Sequence, residues 1–265
     1  MDPIRLVRYQ KLRSAIAEKR YEDAMRISQE MDLMGNLLHH AVYEKDLALV
    51  KWVLGKEMDV HCFYRGLTPF MRACQDGELP LAHEILLHDL SQVNERTQGN
   101  GIWPNRTALM FAASSGSIQI ADLLIANGAD INHRDDLGFT AMMAAAAKGH
   151  GAMIESLHSR GGNEKYIDVS GRRALNYAVE SGSTNAVSRL LSYGLDINEA
   201  NLRRLSIPLW VAIGQKDVAM VEFLLRNGAN PDWQSSFGED ASLYADRVMS
   251  TPEIRKLLMD RQSIG

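Results

Sequence analysis

Apolar residues recur at helical spacing in two well-separated stretches, IQIADLLIANGAD (118–130) and VAMVEFLLRNGAN (218–230), and both runs stop at a glycine, Gly128 and Gly228. Each pattern predicts a helix with one buried face, closed by a glycine just past its end. A shorter helix is predicted before such runs. Thr68, Thr107 and Thr140 are placed to accept the unpaired N–H groups of a first turn, and Pro69 and Pro208 stand where a helix begins and a missing N–H costs nothing. The predicted unit is therefore a short helix, a tight turn, a second helix and a polar, hairpin-like connection.

The unit repeats. Aligning RTALMFAASSGSIQIADLLIANGADIN, GFTAMMAAAAKGHGAMIESLHSRGGN and GRRALNYAVESGSTNAVSRLLSYGLDIN superposes Ala112, Ala145 and Ala178, each 33 residues from the next. The column extends to Ala212 and Ala245 at intervals of 34 and 33, and back to Ala73, Ala41 and Ala15 at intervals of 39, 32 and 26. Gly66, Gly138, Gly171 and Gly238 all lie seven positions before the alanine, and Gly77, Gly116, Gly149 and Gly182 four after it, although neither set was used to find the register. A recurring small residue lets a neighbouring helix approach closely, and the glycine after it suits a tight turn with positive φ.

The stretches TPFMRACQDG, TALMFAASSG, LLIANGADIN and FLLRNGANPD resemble the ankyrin repeat, whose T-P-L-H-x-A-A-x-x-G and L-L-x-x-G-A-D-x-N signatures they match in order and spacing. The resemblance runs from about Gly35 to Leu258. It implies an all-α fold, an ankyrin-repeat solenoid of helix-turn-helix units joined by β-hairpin-like fingers. The implied organisation is one continuous solenoid domain: an N-terminal helical cap at 1–34, repeats at about 35–65, 66–105, 106–137, 138–170, 171–204 and 205–237, and a C-terminal cap repeat at 238–265. The caps keep the helical-pair spacing but lose the signature, and their outer positions are charged, as the end of a stack requires. Elsewhere the signature histidine survives only as His39 and becomes Met71, Met110, Met143, Asn176, Trp210 and Leu243. Lys216 replaces the turn glycine, so a looser or longer turn is expected there. Arg173 stands where a capping threonine belongs, which should weaken that helix start by about 1 kcal/mol.

In such an architecture the fingertips and first helices line a concave side through which family members bind proteins. Carried onto this register, those positions vary from unit to unit while the frame stays fixed. Aromatic and arginine side chains supply most interface hot spots, which selects Tyr64, Arg65, Trp103, Arg106, Phe139, Arg172, Arg203 and Arg204 as candidate partner contacts, and Lys148, three after Ala145 on the same face, is added to them. The 39-residue interval ahead of Ala112 adds about six residues to one finger, 93–105, whose tip reads QGNGIWPNR. An apolar pair, Ile102 and Trp103, would be costly to leave in water. It is expected either to insert into a partner's cleft or to fold back and cover the protein's own groove, the alternative being a local core under the long loop. Summed finger by finger the charges cancel, leaving one basic patch at Arg172, Arg173, Arg203 and Arg204.

Composition narrows the function. With 265 residues, 46% hydrophobic, 23% charged and a net charge of −4, the chain reads as a folded protein and a poor match for nucleic acid, whose sequence-independent binding needs clustered Lys and Arg. No apolar run approaches a membrane span, so a soluble, cytoplasmic chain is expected. Cys62 and Cys74 are too far apart for a redox or zinc pair. His39 and His40 are consecutive and diverge on a helix, and no metal, phosphate-binding or nucleophile motif occurs. The sequence thus predicts a non-catalytic module without cofactor or metal, monomeric before it binds a folded protein. The alternative is a dedicated inhibitor or immunity-type protein that occludes the active site of an enzyme or toxin.

Overall fold

In each of eight helical pairs the aligned alanine lies in the first helix and is fully excluded from solvent: Ala15, Ala41, Ala73, Ala112, Ala145, Ala178, Ala212 and Ala245 all have zero exposure. The computed structural model describes residues 3–30, 34–56, 59–98, 104–199, 207–234 and 238–260. Its pairs are α1 (Pro3–Ala17) with α2 (Tyr21–Glu30), α3 (Met34–Tyr43) with α4 (Leu47–Leu54), α5 (Pro69–Gln75) with α6 (Leu79–His88), and α7 (Ala108–Ser115) with α8 (Ile118–Ala126). The series continues with α9 (Ala141–Ala147) and α10 (Gly151–Ser159), α11 (Ala174–Glu180) and α12 (Thr184–Ser192), α13 (Pro208–Gln215) and α14 (Val218–Arg226), and α15 (Ala241–Arg247) and α16 (Pro252–Met259). They form two compact units, Met1–Asp130 and Ile131–Gly265. In the first, α3 packs on α5 and α5 on α7, while the second helices stack as α4 on α6 on α8. The other has the same two layers, with α9, α11, α13 and α15 in one row and α10 on α12 and α14 on α16 in the other.

The turn between paired helices has the same backbone shape in every pair, and seven of the eight close with the same hydrogen bond, the exception being α11–α12, where the Ser183 N–H donates to Ser181 Oγ at 3.4 Å. The residue four after the alanine adopts positive φ whatever its identity: Lys19 (56°), Lys45 (57°), Gly77 (73°), Gly116 (75°), Gly149 (69°), Gly182 (72°), Lys216 (59°) and Met249 (50°). The next N–H then returns to the alanine carbonyl, from Arg20, Asp46, Glu78, Ser117, His150, Asp217 and Ser250, at 2.8 to 3.2 Å. This closure satisfies a helix-end carbonyl that would otherwise lack a partner. The looser turn expected at Lys216 is therefore corrected: lysine takes the left-handed conformation itself, and the turn keeps its length.

Helix starts follow the threonine column with one exception. Thr68 accepts the Met71 N–H and Thr140 the Met143 N–H, both at 3.2 Å. Thr107 has the extended backbone of a cap but makes no capping bond, and its buried hydroxyl has no partner among the described residues. At Arg173 the weakness expected of a missing cap is partly offset, because Asn176 reaches back and its Oδ1 accepts the Arg173 N–H at 3.0 Å. The residue filling the signature-histidine position thus supports the helix start.

Successive pairs are stitched by asparagine. Asn94 donates to the Gly128 carbonyl (2.9 Å) and accepts the Asp130 N–H (2.9 Å). Asn132 does the same with Gly161 (3.0 Å) and Asn163 (2.9 Å), and Asn198 with Gly228 (3.0 Å) and Asn230 (2.7 Å). A side-chain amide carries a donor and an acceptor together, so one residue serves both groups.

Two stability outcomes are expected. Lys216→Gly removes the penalty of a β-carbon in the left-handed region and should raise stability by about 1 kcal/mol in urea melts, whereas Lys148→Gly, at negative φ, should not. Asn132→Ala deletes both bonds of one stitch and should lower stability by about 1–2 kcal/mol by the same measurement.

Candidate functional site

The finger between α4 and α5 ends in a two-residue turn. The Tyr64 N–H donates to the Leu67 carbonyl at 2.9 Å and the Leu67 N–H to the Tyr64 carbonyl at 3.2 Å, with Arg65 and Gly66 between them at φ 53° and 82°. Two consecutive positive φ values define the turn type that favours Asn-Gly. Gly66 is doubly constrained, since a β-carbon there would also lie 2.8 Å from the Gln98 carbonyl oxygen. Arg65 has no such excuse: it holds a left-handed conformation while its guanidinium stands 5.5 Å over the Tyr64 ring. Tyr64 is 50% exposed.

Around that tip lies a cluster built largely from α3 and α5. His39 packs beneath Tyr64 with ring centroids 5.8 Å apart, and its Nε2 donates to the Cys62 carbonyl at 3.1 Å, fixing the finger to the helix. Burial holds the His39 pKa below its ordinary value, opposed by that bond and aided by the Arg72 charge. One turn along the same helix, Tyr43 is 63% exposed, with the Arg72 guanidinium 5.9 Å from its ring and Arg72 Nε donating to Asp76 at 2.8 Å. Tyr43 was missed among the sequence candidates, although it sits two after Ala41 and the register marks that position. Of the residues at the other signature-histidine positions, Met71, Met110 and Met143 are buried and apolar, Asn176 is buried and polar, and Leu243 is exposed. Trp210 is buried too, stacked on Tyr244 at 4.8 Å and edge-on to Trp233 at 5.8 Å.

The base of the extended finger is an antiparallel bridge between Arg96 and Thr107, in which the Thr97 N–H donates to the Arg106 carbonyl (2.8 Å) and the Arg106 N–H to Thr97 Oγ1 (2.9 Å). Arg106 is half-buried at that base, and Asn105 takes positive φ at the position glycine holds in other fingers. Ile102 and Trp103 lie outside the described residues, as do Arg203 and Arg204.

In the second unit the carboxylates of Asp135 and Asp168 build the fingertips. Asp135 Oδ1 accepts the Leu137 and Phe139 N–H groups at 2.9 and 2.8 Å, and Asp168 Oδ1 those of Ser170 and Arg172 at 2.7 and 2.9 Å. Both aspartates lie ten before their alanine, a column the sequence displays but whose turn-building role is local geometry. The two tips are joined by the Val169 N–H donating to the Leu137 carbonyl at 2.9 Å, and the Leu137 and Val169 side chains are exposed. Lys148, which ends α9, is exposed as well.

Phe139 is a correction. Its expected place on the surface is refuted by 9% exposure, because it packs edge-on against Tyr177 at 5.1 Å and so serves the finger's own core. Arg172 is likewise turned inward. Its guanidinium lies 4.2 Å over the Tyr177 ring, Nη2 donates to the Tyr177 hydroxyl (2.7 Å) and Nη1 to Glu180 (2.6 Å), and Nε is 3.5 Å from Asp168. The Tyr177 hydroxyl donates to Asp168 at 2.6 Å. Burial works against the Arg172 charge, but Tyr177, Glu180 and Asp168 outweigh it and raise the pKa. Burial, with the bond to Asp168, also raises the pKa of Tyr177. Arg173 donates to the Lys165 carbonyl and pairs with Glu199. The described half of the basic patch is thus neutralised within the protein.

No helix among the described residues is long and apolar enough to cross a membrane. The sequence matches the family pattern described as ankyrin repeats (3 copies) over residues 38–135 and 109–201, and a single ankyrin repeat over 206–236. It is 33% identical over 219 residues, 72% of this chain, to the ankyrin repeat domain-containing protein SAT10 of Stachybotrys chartarum. It is 35% identical over 94 residues, 35% of this chain, to the E3 ubiquitin-protein ligase XBAT33 of Arabidopsis thaliana. The matches span 11% and 18% of those two relatives' lengths. Among solved structures, the human ASB11 ankyrin repeat domain superposes with a TM-score of 0.70 at 21% identity, covering 84% of this chain and 96% of that one, a likeness of fold. With the signature columns, the paired helices and the sequence match all in agreement, this chain belongs to the ankyrin-repeat family, whose repeats generally mediate protein–protein interaction.

Proposed function

We propose that this chain is a non-catalytic recognition module that binds a folded protein through its fingertips and first helices, with Tyr64 and Arg65 at the centre of the contact in the first unit and the 93–105 finger as an anchor. The observation that carries this reading is Arg65. A left-handed arginine at the first position of the tip costs about 1–2 kcal/mol relative to a residue suited to that conformation, and asparagine would fit the turn better. What arginine supplies is a cation stacked on an exposed tyrosine. Stability surrendered at an exposed tip is characteristic of residues kept for binding. Tyr43 and Arg72 extend the same chemistry along α3 and α5, and aromatic and arginine side chains are the groups that dominate interface energetics.

The narrower reading, a dedicated inhibitor of an enzyme or toxin, draws its support from the lengthened finger, since a loop beyond the architectural minimum is suited to entering a cleft. The two readings part on stoichiometry and affinity. A plug predicts one partner held tightly one-to-one, whereas an adaptor predicts several held weakly.

The partner recovered by affinity purification from the native source supplies the test. Arg65→Asn should raise the melting temperature by about 2–4 °C and weaken partner binding about tenfold or more, corresponding to about 1.4 kcal/mol. Tyr64→Ala and Trp103→Ala should weaken it further. Unchanged affinity in all three variants would overturn the proposal.

A further inference from the structure

His61 stands between two carboxylates of the following repeat. Its Nε2 is 2.7 Å from Asp89 Oδ2 and its Nδ1 is 3.1 Å from Glu95 Oε2, with the Ser91 hydroxyl 3.4 Å from Nε2. A neutral imidazole has one N–H, so either tautomer would leave a bare ring nitrogen facing a carboxylate. Only the imidazolium donates to both. Among the described residues neither Asp89 nor Glu95 pairs with any other cation.

The partners are themselves held. Asp89 Oδ1 accepts the Ser91 N–H at 2.8 Å, at the start of the short 3₁₀ turn Leu90–Asn94, and the Glu95 N–H donates to the Gln92 carbonyl at 3.1 Å, closing it. On the other side the His61 N–H donates to Asp59 Oδ1 at 2.8 Å, at the root of the finger that ends in Tyr64 and Arg65. The ring therefore spans from one finger to a rigid strap after α6. A second tie, from the Gln98 N–H to the Gly66 carbonyl at 3.3 Å, joins the same finger to the chain just past the strap without any titrating group.

We propose that His61 is a proton-operated clasp that fastens the finger bearing Tyr64 and Arg65 to the 89–95 strap of the next repeat, closed when the ring is protonated and released when it is neutral. The groups facing it are the carboxylates of Asp89 and Glu95 and the Ser91 hydroxyl. Asp59 adds negative charge beside Glu95 and Cys62, and the Cys62 thiol, pushed by burial to about 11, adds none near neutrality. Burial of His61 opposes its charge, but the bonds to Asp89 and Glu95 prevail and its pKa is raised above the ordinary 6.5. Burial raises the Glu95 pKa against the pull of His61, while bonds from Ser91 first, and then His61, lower that of Asp89. The sign follows for the histidine. Because its folded pKa exceeds its unfolded one, the clasp contributes fully below pH 6.5 and is lost as pH rises through the raised value. His39 and His40, both lowered chiefly by burial, act in the opposite sense and weaken the fold as pH falls below 6.5. A raw pH profile would mix the two effects, so the clasp is read as a difference between variants.

The test is an NMR titration of the His61 ring in the full chain, alone and as the D89N/E95Q double variant, with melting curves of the wild type and H61Q from about pH 6 to about pH 9. The clasp requires a His61 pKa above 6.5 that returns to that value or below when both carboxylates are neutralised. It also requires a melting-temperature advantage over H61Q that shrinks by about half or more across the range. A wild-type His61 titrating at or below 6.5, or a pH-independent advantage over H61Q, would overturn it. Should H61Q fail to fold, the ring titration alone decides. None of these readouts requires a binding partner, so they stand apart from the reading of Tyr64 and Arg65.

Discussion

One position in each helical pair holds an alanine, and all eight of these side chains are fully excluded from solvent. Short helices of seven to ten residues, such as α5 and α6, cannot hold themselves together in water, because nucleation costs more than a few hydrogen bonds return. Their stability comes from burying one face against the next pair, and in a repeat architecture it is close to a sum of such neighbour terms. Close approach at the alanine makes that burial complete. Four residues on, the chain reverses in a left-handed conformation that even lysine and methionine adopt.

A frame specified this way leaves other positions free. The solvent-facing residues at the fingertips and at the ends of the first helices differ in chemistry from unit to unit: tyrosine and arginine around Tyr64, leucine and valine at the tips of the second unit, a lysine at the end of α9. Not all of the freedom is used for solvent-facing groups. Phe139, Tyr177, Arg172 and Asp168 turn the same kind of position into a small internal network. Arg65 is strained and outward, whereas Arg172 is turned inward, with its Nη atoms donating to Tyr177 and Glu180.

Much of the frame was legible in the sequence because its determinants are local and periodic. The alanine column, the glycines four after and seven before it, and Thr68 and Thr140 as caps each act within a few residues of where they stand. Misjudgements arose where identity and conformation separate. Lys216 holds a backbone shape usually assigned to glycine. Thr107 looks like a cap but does not cap, and Asn176 rescues a start that Arg173 appeared to weaken. Burial of Phe139 depends on Tyr177, 38 positions away, a pairing set by the stacking of one finger on the next helix and not by any local pattern. The His61 clasp was hidden for the same reason, since its ligands lie 28 and 34 residues downstream.

The repeat frame requires helices packed too closely at the alanine column for a larger side chain to enter. Equilibrium unfolding of Ala145→Leu measures this directly. Overpacking there should cost about 1–3 kcal/mol with the helical content of the folded state retained. Stability equal to that of the unsubstituted chain would mean that the helices do not meet at this residue and that the register built on it is wrong.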